Sequence, residues 1–337
     1  MKNIFYLALL VIGFTACRTN PKIKTIKHPT TNFRLLDKAT GAEFVAKDSK
    51  EGYFDRVIPL EISIQMKQHL EDQPRAAIID QYKQYLKDDV EEFSPEESKF
   101  AETYFKQALD YCGKIDAKLK LPEIQLIKTA GKYYGPGTYY TRDNCIIIPA
   151  GQLEEGNENS FVETMIHEIF HIYSRYNNKK RDELYASIGF KPIKNIKLGK
   201  FLEQRVLYNP DGVDIQYAID VQDTSGRAFK AIPIIYSQFK NYREDFPGFM
   251  NYIVFQLFEI QKQGGQWTVI NPTTGYSEDD LQNFWEQVGT NTRYTWHPDE
   301  ILADNFKLLA VKKANSIRQL KPEGSAQLET IEQILKK

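Results

Sequence analysis

Cysteine is scarce: the 337 residues hold three, at positions 17, 112 and 145. Cys17 closes an apolar leader, so two remain for the body of the protein, too few to build a cysteine-based zinc cluster. Cys112 and Cys145 sit inside apolar patterns and read either as a disulfide of an oxidising compartment or as buried small hydrophobes. An excess of one charge is missing as well. Net charge is −1 and no basic face dominates, so nothing argues for nucleic acid as a partner. There is no internal repeat, and the apolar run at residues 4–16 is too short to span a bilayer comfortably. What is present, 42% hydrophobic and 13% aromatic residues, suits a folded chain of one large domain or two modest ones.

The leader has the form of a targeting segment, with Lys2 ahead of the apolar run. Its end, Phe14-Thr15-Ala16-Cys17, resembles a bacterial lipobox, in which the chain is cut before a cysteine that then carries the lipid. An ordinary secretory signal with an incidental Cys17 is the alternative. On either reading the mature protein works outside the cytoplasm, and lipidation at Cys17 would hold it in the bacterial cell envelope. Residues 18–32 are basic, rich in Pro and Thr, and read as a tether.

The chemistry concentrates in residues 160–178, SFVETMIHEIFHIYSRYNN. His167 and His171 are four apart, so a helix puts both imidazoles on one face. Two neutral imidazoles held this way can ligate one Zn²⁺, and Glu168 can reach a water bound to the metal. HExxH arises by chance in roughly one chain per hundred of this size, so the context has to decide. Here Ser160 and Glu163 have the spacing of a capping box, and Phe161, Met165, Ile169 and Ile172 recur at helical spacing. Asn177-Asn178 reads as a left-handed stop. The helix is apolar nearly all round, and histidines on a buried helix need a partner.

Helices are predicted on either side. Residues 59–72, 75–93 and 94–119 form an N-terminal helical layer, the last announced by Ser94-Pro95-Glu96-Glu97. Strands are predicted at 123–129 and 138–149. The second could be the edge along which an extended substrate pairs, or simply a core strand. Residues 191–274 alternate and turn as a β-rich insertion, with helices at 277–288, from Pro298, and at 323–337.

A catalytic zinc takes three protein ligands and keeps one position open. Continuing the motif as HExxHxxGxxH fails, because Ser174 and Asn177 stand where glycine and histidine belong. Glu183 lies in a charged run that reads as solvated. His297 directly precedes Pro298 at a helix start. Glu300 is the strongest candidate, because it and Asp304 lie one turn apart on a largely apolar helix, and buried carboxylates need a cation or strong donors. Glu300 on the metal and Asp304 on the outer nitrogen of a ligand histidine would satisfy both.

HEIFH with a late ExxxD, and an upstream TRDNCIIIP, resembles the gluzincin metallopeptidases, the thermolysin-like zincins, over about residues 120–315. The interval from His171 to Glu300 is longer than in thermolysin itself. The resemblance implies an α+β, zincin-like fold with the active-site helix packed on a small sheet, and one Zn²⁺ held by His167, His171 and Glu300. It further implies Glu168 as general base, Asp304 on His167, and Asn144 along the substrate edge. The corresponding division is a signal peptide at 1–16, a linker at 17–50, a helical region at 51–121 and a catalytic domain at 122–337. The activity implied is hydrolysis of peptide or protein substrates by an envelope enzyme lipid-anchored at Cys17. An exopeptidase or narrowly specific processing enzyme, and a non-catalytic binding lipoprotein of the same fold, are the alternatives. Tyr185, Tyr217, Tyr294 and His297 are candidates for the transition-state donor.

Overall fold

Helices and two separate β-sheets alternate through residues 23–70, 72–246, 248–314 and 321–337, the part of the chain that the computed structural model describes. The expected leader and the expected lipidation site Cys17 lie outside these residues.

Folded elements begin inside the stretch expected as linker. β1 (Phe33–Leu35) and α1 (Lys38–Val45) precede residue 50, and Asp37 caps α1 by accepting from the Thr40 amide at 2.7 Å. Phe33 is fully buried, with its ring 4.8 Å from that of Phe105. Three residues are too few to show a period, which is why composition alone reads this segment as a tether. α2 (Tyr53–Arg56), α3 (Pro59–Met66), α4 (Arg75–Asp88) and α5 (Pro95–Ile115) complete the N-terminal helices. The capping box at Ser94 and Glu97 forms as expected, each side chain bonding the other's amide.

β2 (Ile124–Thr129), β3 (Tyr140–Arg142) and β4 (Cys145–Pro149) join β1 in a four-stranded sheet of order β1-β2-β4-β3. β2 pairs in parallel with β1 and β4, is buried on both faces, and reads as an apolar run for that reason. The single strand expected over 138–149 is a hairpin, because Asp143 turns the chain at a φ of 49°. β3 is thus one of the two edge strands of this sheet.

α6 (Glu158–Tyr176) packs on β3, α5 and a late helix. It starts earlier than Ser160, at Asn157, and the capping box expected there does not form; the Ser160 hydroxyl instead donates to the Asn157 carbonyl at 3.1 Å. Asn177 has a φ of −128°, not a left-handed value, and α7 (Asn178–Ser187) follows at once.

β5 (Phe190–Pro192), β6 (Ile196–Lys197), α8 (Lys200–Glu203), β7 (Tyr217–Gln222), β8 (Ala228–Ser237), β9 (Ile253–Gln263) and β10 (Gln266–Val269) occupy the expected β-rich stretch. Their six strands run in the order β5-β7-β8-β9-β10-β6, mostly antiparallel. α9 (Phe284–Val288), α10 (Pro298–Lys313) and α11 (Pro322–Lys336) close the chain. The fold class is α+β. Cys112 and Cys145 are buried, and no disulfide forms among the described residues.

α10 is fixed against α6 by packing. The rings of Phe170 and Phe306, both fully buried, lie 5.4 Å apart across the pair. Truncating either to alanine is worth about 3–5 kcal/mol. That packing holds two segments 130 residues apart in register for the site they share.

Candidate metal centre

α6 and α10 run antiparallel, so successive turns of one meet successive turns of the other in reverse order. His167 on α6 faces Asp304, and His171, one turn on, faces Asp299. Glu300 lies between. Its Oε2 is 3.0 Å from His167 Nε2 and 3.5 Å from His171 Nε2. Donors 2.0–2.1 Å from a tetrahedral zinc lie about 3.4 Å from one another, so these separations are those of one coordination sphere. His167, His171 and Glu300 thus form a compact group of potential ligands.

Each imidazole is oriented through its other nitrogen. His167 Nδ1 meets Asp304 Oδ1 at 3.1 Å, and Asp304 is itself held by Thr292 Oγ1 at 2.5 Å and Lys307 Nζ at 2.6 Å. His171 Nδ1 meets Asp299 Oδ2 at 2.6 Å. With Nδ1–H donating to a carboxylate, the Nε2 lone pair is left free to point at Glu300, the arrangement a ligand histidine needs.

Asp299 has no counterpart in the sequence reading. It is 1% exposed, and besides His171 it accepts from Ser174 Oγ at 2.5 Å and Tyr185 Oη at 2.6 Å. Two further residues come from the loop between α8 and β7. Asn209 Nδ2 donates to Glu300 Oε1 at 2.6 Å, which reserves Oε2 for the imidazoles. Asp211, 8% exposed, has a carboxylate oxygen within 4.8 Å of donor atoms on both Glu168 and His171.

Other candidates are excluded by their own bonds. His297 caps α10: Nδ1 accepts from the Asp299 amide at 3.1 Å and Nε2 donates to the Asp214 carbonyl at 3.0 Å, leaving no nitrogen for an ion. A Cβ on Gly212 would lie 2.2 Å from that imidazole, so glycine is needed for the loop to lie over the ring. Tyr185 is committed to Asp299, Tyr217 to Asp182 at 2.8 Å, and Glu183 to Lys180 at the surface. Tyr294 alone of the donor candidates lines the cleft with His167, Glu168 and Glu300. Asn144 is not brought to the site. It sits in the β3–β4 turn, with Nδ2 on the Glu123 carbonyl at 2.6 Å. The edge beside the cleft is instead carried by Tyr139 and Gly137, leading into β3.

The cleft encloses ≈ 330 Å³. Wider depressions lie between α9 and α11 and between α1 and α4, but neither gathers a group of ligating side chains. The electrostatics of the cleft centre on a shortage of positive charge. Glu168, Asp211, Asp299 and Glu300 are all buried. Burial opposes a charged His167, yet hydrogen bonds to Asp304 and Glu300 raise it to about 9. His171 is raised likewise against its burial, by Glu300 and Asp211 first. Burial would raise Glu300 too, but the two imidazoles hold it well below the usual carboxylate range. Burial, and then Asp211, push Glu168 up to about 8.

A divalent cation with neutral imidazoles satisfies the same cluster. The buried Nε2 of His171 and Oε2 of Glu168 have no hydrogen-bond partner, and both belong to groups of converging donors. The residues present therefore fit a metal ion of the N/O-ligated class.

No protein-family model matches the chain, and neither a curated protein nor a solved structure matches it significantly.

Proposed function

We propose that this protein is a zinc-dependent peptidase of the gluzincin type, acting outside the cytoplasm and lipid-anchored through Cys17. The observation that carries the reading is the convergence of His167 Nε2, His171 Nε2 and Glu300 Oε2, with each imidazole's Nδ1 on a carboxylate. His167, His171 and Glu300 would hold the ion. When bound, zinc supplies Lewis-acid polarisation of the scissile carbonyl and makes water acidic enough to attack near neutral pH.

The chain's own groups do the rest. Glu168, buried beside His171 and adjacent to His167 in sequence, takes the proton from the attacking water and passes it to the leaving amine. Tyr294, on the wall of the same cleft, would donate to the oxygen on which charge develops. The zincin-like reading is supported by α6 packed against the edge strand β3, along which an extended peptide would pair apart from Thr141, whose amide donates to Asp211 at 2.5 Å.

Glu168→Gln tests the assignment. The variant should keep one equivalent of zinc and lose cleavage of a peptide library. Undiminished turnover would remove Glu168 from its role and the peptidase mechanism with it.

A further inference from the structure

Arg181 is a cation that the hydrolytic scheme does not use. Its Nε is buried with no hydrogen-bond partner, and its guanidinium stands 5.7 Å from the centre of the Tyr217 ring. A guanidinium keeps its charge at any pH a protein meets, so a buried nitrogen of that group without an acceptor is costly. Two carboxylates act on Arg181 through space, Asp299 and Glu51, and both are committed elsewhere. Asp299 serves His171, Ser174 and Tyr185, and Glu51 Oε2 accepts from Arg175 Nε at 2.7 Å. Arg181 lines a cavity of ≈ 240 Å³ that shares no lining residue with the metal cleft.

The charge around this cavity is unbalanced. Lys50, Arg56, Arg175 and Arg181 line it against Glu51 and Asp214, four cations to two carboxylates, an excess of two positive charges. The chain as a whole carries −1, so the excess is local. Arg175 and Glu51 close on each other, and the other nitrogens of Arg175 are spent on the Thr141 hydroxyl and the carbonyls of Asp143, Pro210 and Asp211. Lys50, Arg56 and Arg181 make no ion pair among the described residues; Lys50 Nζ lies instead 4.7 Å from the centre of the Tyr176 ring. Asp214 accepts from the Gln216 amide at 3.1 Å. Asn178, also on the wall, opens α7, whose first-turn amides add to the positive potential.

We propose that this cavity is a binding site for a compact inorganic dianion of the phosphate class, with Arg181 Nε as its buried donor and Arg56 and Lys50 as its other cations. Charge selects the class: an excess of two positive charges is matched by a dianion and only half matched by a single carboxylate. Guanidinium groups suit tetrahedral oxyanions because their forked donors can bond two oxygens at once. Size selects a small ion. Drug-sized ligands occupy pockets of about 300–1,000 Å³. A water's share of liquid volume is about 30 Å³, so ≈ 240 Å³ admits one such ion with a few waters around it. The site is independent of the metal reading, since none of its walls is a ligand candidate.

Calorimetric titration of inorganic phosphate into the full chain tests this, at about pH 8 and low ionic strength, where such binding is least screened. One phosphate should bind per chain, sulfate should compete with it, and acetate should bind at least about tenfold more weakly. Arg181→Gln should weaken phosphate about tenfold or more, the usual effect of losing a charge-assisted hydrogen bond. His167→Ala should bind phosphate as wild type does, which separates this cavity from the metal centre. Absence of saturable binding to wild type would overturn the proposal, as would equal affinity in Arg181→Gln. Loss of binding in His167→Ala would overturn it too, by placing the phosphate at the metal centre. O-phosphoserine binding more tightly than phosphate would replace the free ion with a phosphorylated chain as the ligand. Should Arg181→Gln not fold, Arg56→Gln removes a second cation from the same wall. It should weaken phosphate in the same direction, and no change would count against the site.

Discussion

Replacing Asp299 with asparagine should weaken zinc binding by 10- to 100-fold while leaving the fold intact. Asp299 is the acceptor for His171 Nδ1 at 2.6 Å, the shorter of the two imidazole–carboxylate bonds in the site. A hydrogen bond to a charged group contributes about 1.5–3 kcal/mol and a neutral one about 0.5–1.5. Removing the charge should therefore cost His171 about 1–1.5 kcal/mol as a ligand. Loss of the anion's polarising effect on the imidazole brings the change into the range of about 10- to 100-fold known for such partners. The other oxygen of Asp299 accepts from Ser174 and Tyr185, two hydroxyls that can rotate to accept from an amide instead. Stability should fall by only about 1–2 kcal/mol. Asp299→Ala differs, since it leaves His171 Nδ1 and both hydroxyls buried without a partner, a loss of about 3 kcal/mol or more in a fold worth about 5–15. The assay pairs a chelator competition for zinc affinity with urea unfolding of the zinc-free protein. Wild-type affinity in a folded Asp299→Asn variant would refute the reasoning, because His171 would then need no carboxylate to act as a ligand.

Two further outcomes follow from the same geometry. Tyr294→Phe should lower kcat by about 10²–10³ with little change in KM or zinc content, the usual effect of losing one donor to a developing oxyanion; a KM effect alone would make Tyr294 a binding residue. Glu61 tests the N-terminal core. It is fully buried, bonded by Tyr53, Gln65 and the Tyr208 amide, and burial raises its carboxyl from 4.5 to about 7. Between those values the unfolded chain loses the proton first, so stability is full below pH 4.5 and falls as pH rises to about 7, by about 3 kcal/mol. Glu61→Gln should remove that part of the fall in unfolding free energy between pH 5 and pH 8, and an unchanged pH dependence would show that Glu61 is not its source.

The convergence of His167, His171 and Glu300 is legible in the sequence because its signals are local and periodic. HExxH and ExxxD each place two groups one turn apart, and buried charge demands that such groups find each other. The same rule gives Asp304 to a histidine of that pair, and the family likeness points to His167, where it lies at 3.1 Å. Asp299 carries no signal of its own beside Glu300, and only the pairing of each imidazole with its own acceptor picks it out. On antiparallel helices the acceptor for His171 has to come about one turn before Asp304, and Asp299 stands there. Asn209 and Asp211 gave no comparable signal. Asn-Pro-Asp-Gly marks a turn, and a turn signal does not say which site the loop reaches. Asn144 was drawn to the substrate edge by family likeness, but the hairpin at Asp143 turns it away. β1 and α1 were read as linker because a short buried segment carries too few residues for a period to emerge.

The central claim is that two imidazoles of α6 and one carboxylate of α10 hold a single divalent ion. X-ray absorption at the zinc edge, on protein purified with stoichiometric zinc, tests it most directly. One zinc per chain with two histidine nitrogens and oxygen donors at about 2.0–2.2 Å is the predicted result, with stoichiometric binding lost in His167→Ala. A wild-type chain that takes up no zinc, or whose zinc carries no histidine scattering, would contradict the account.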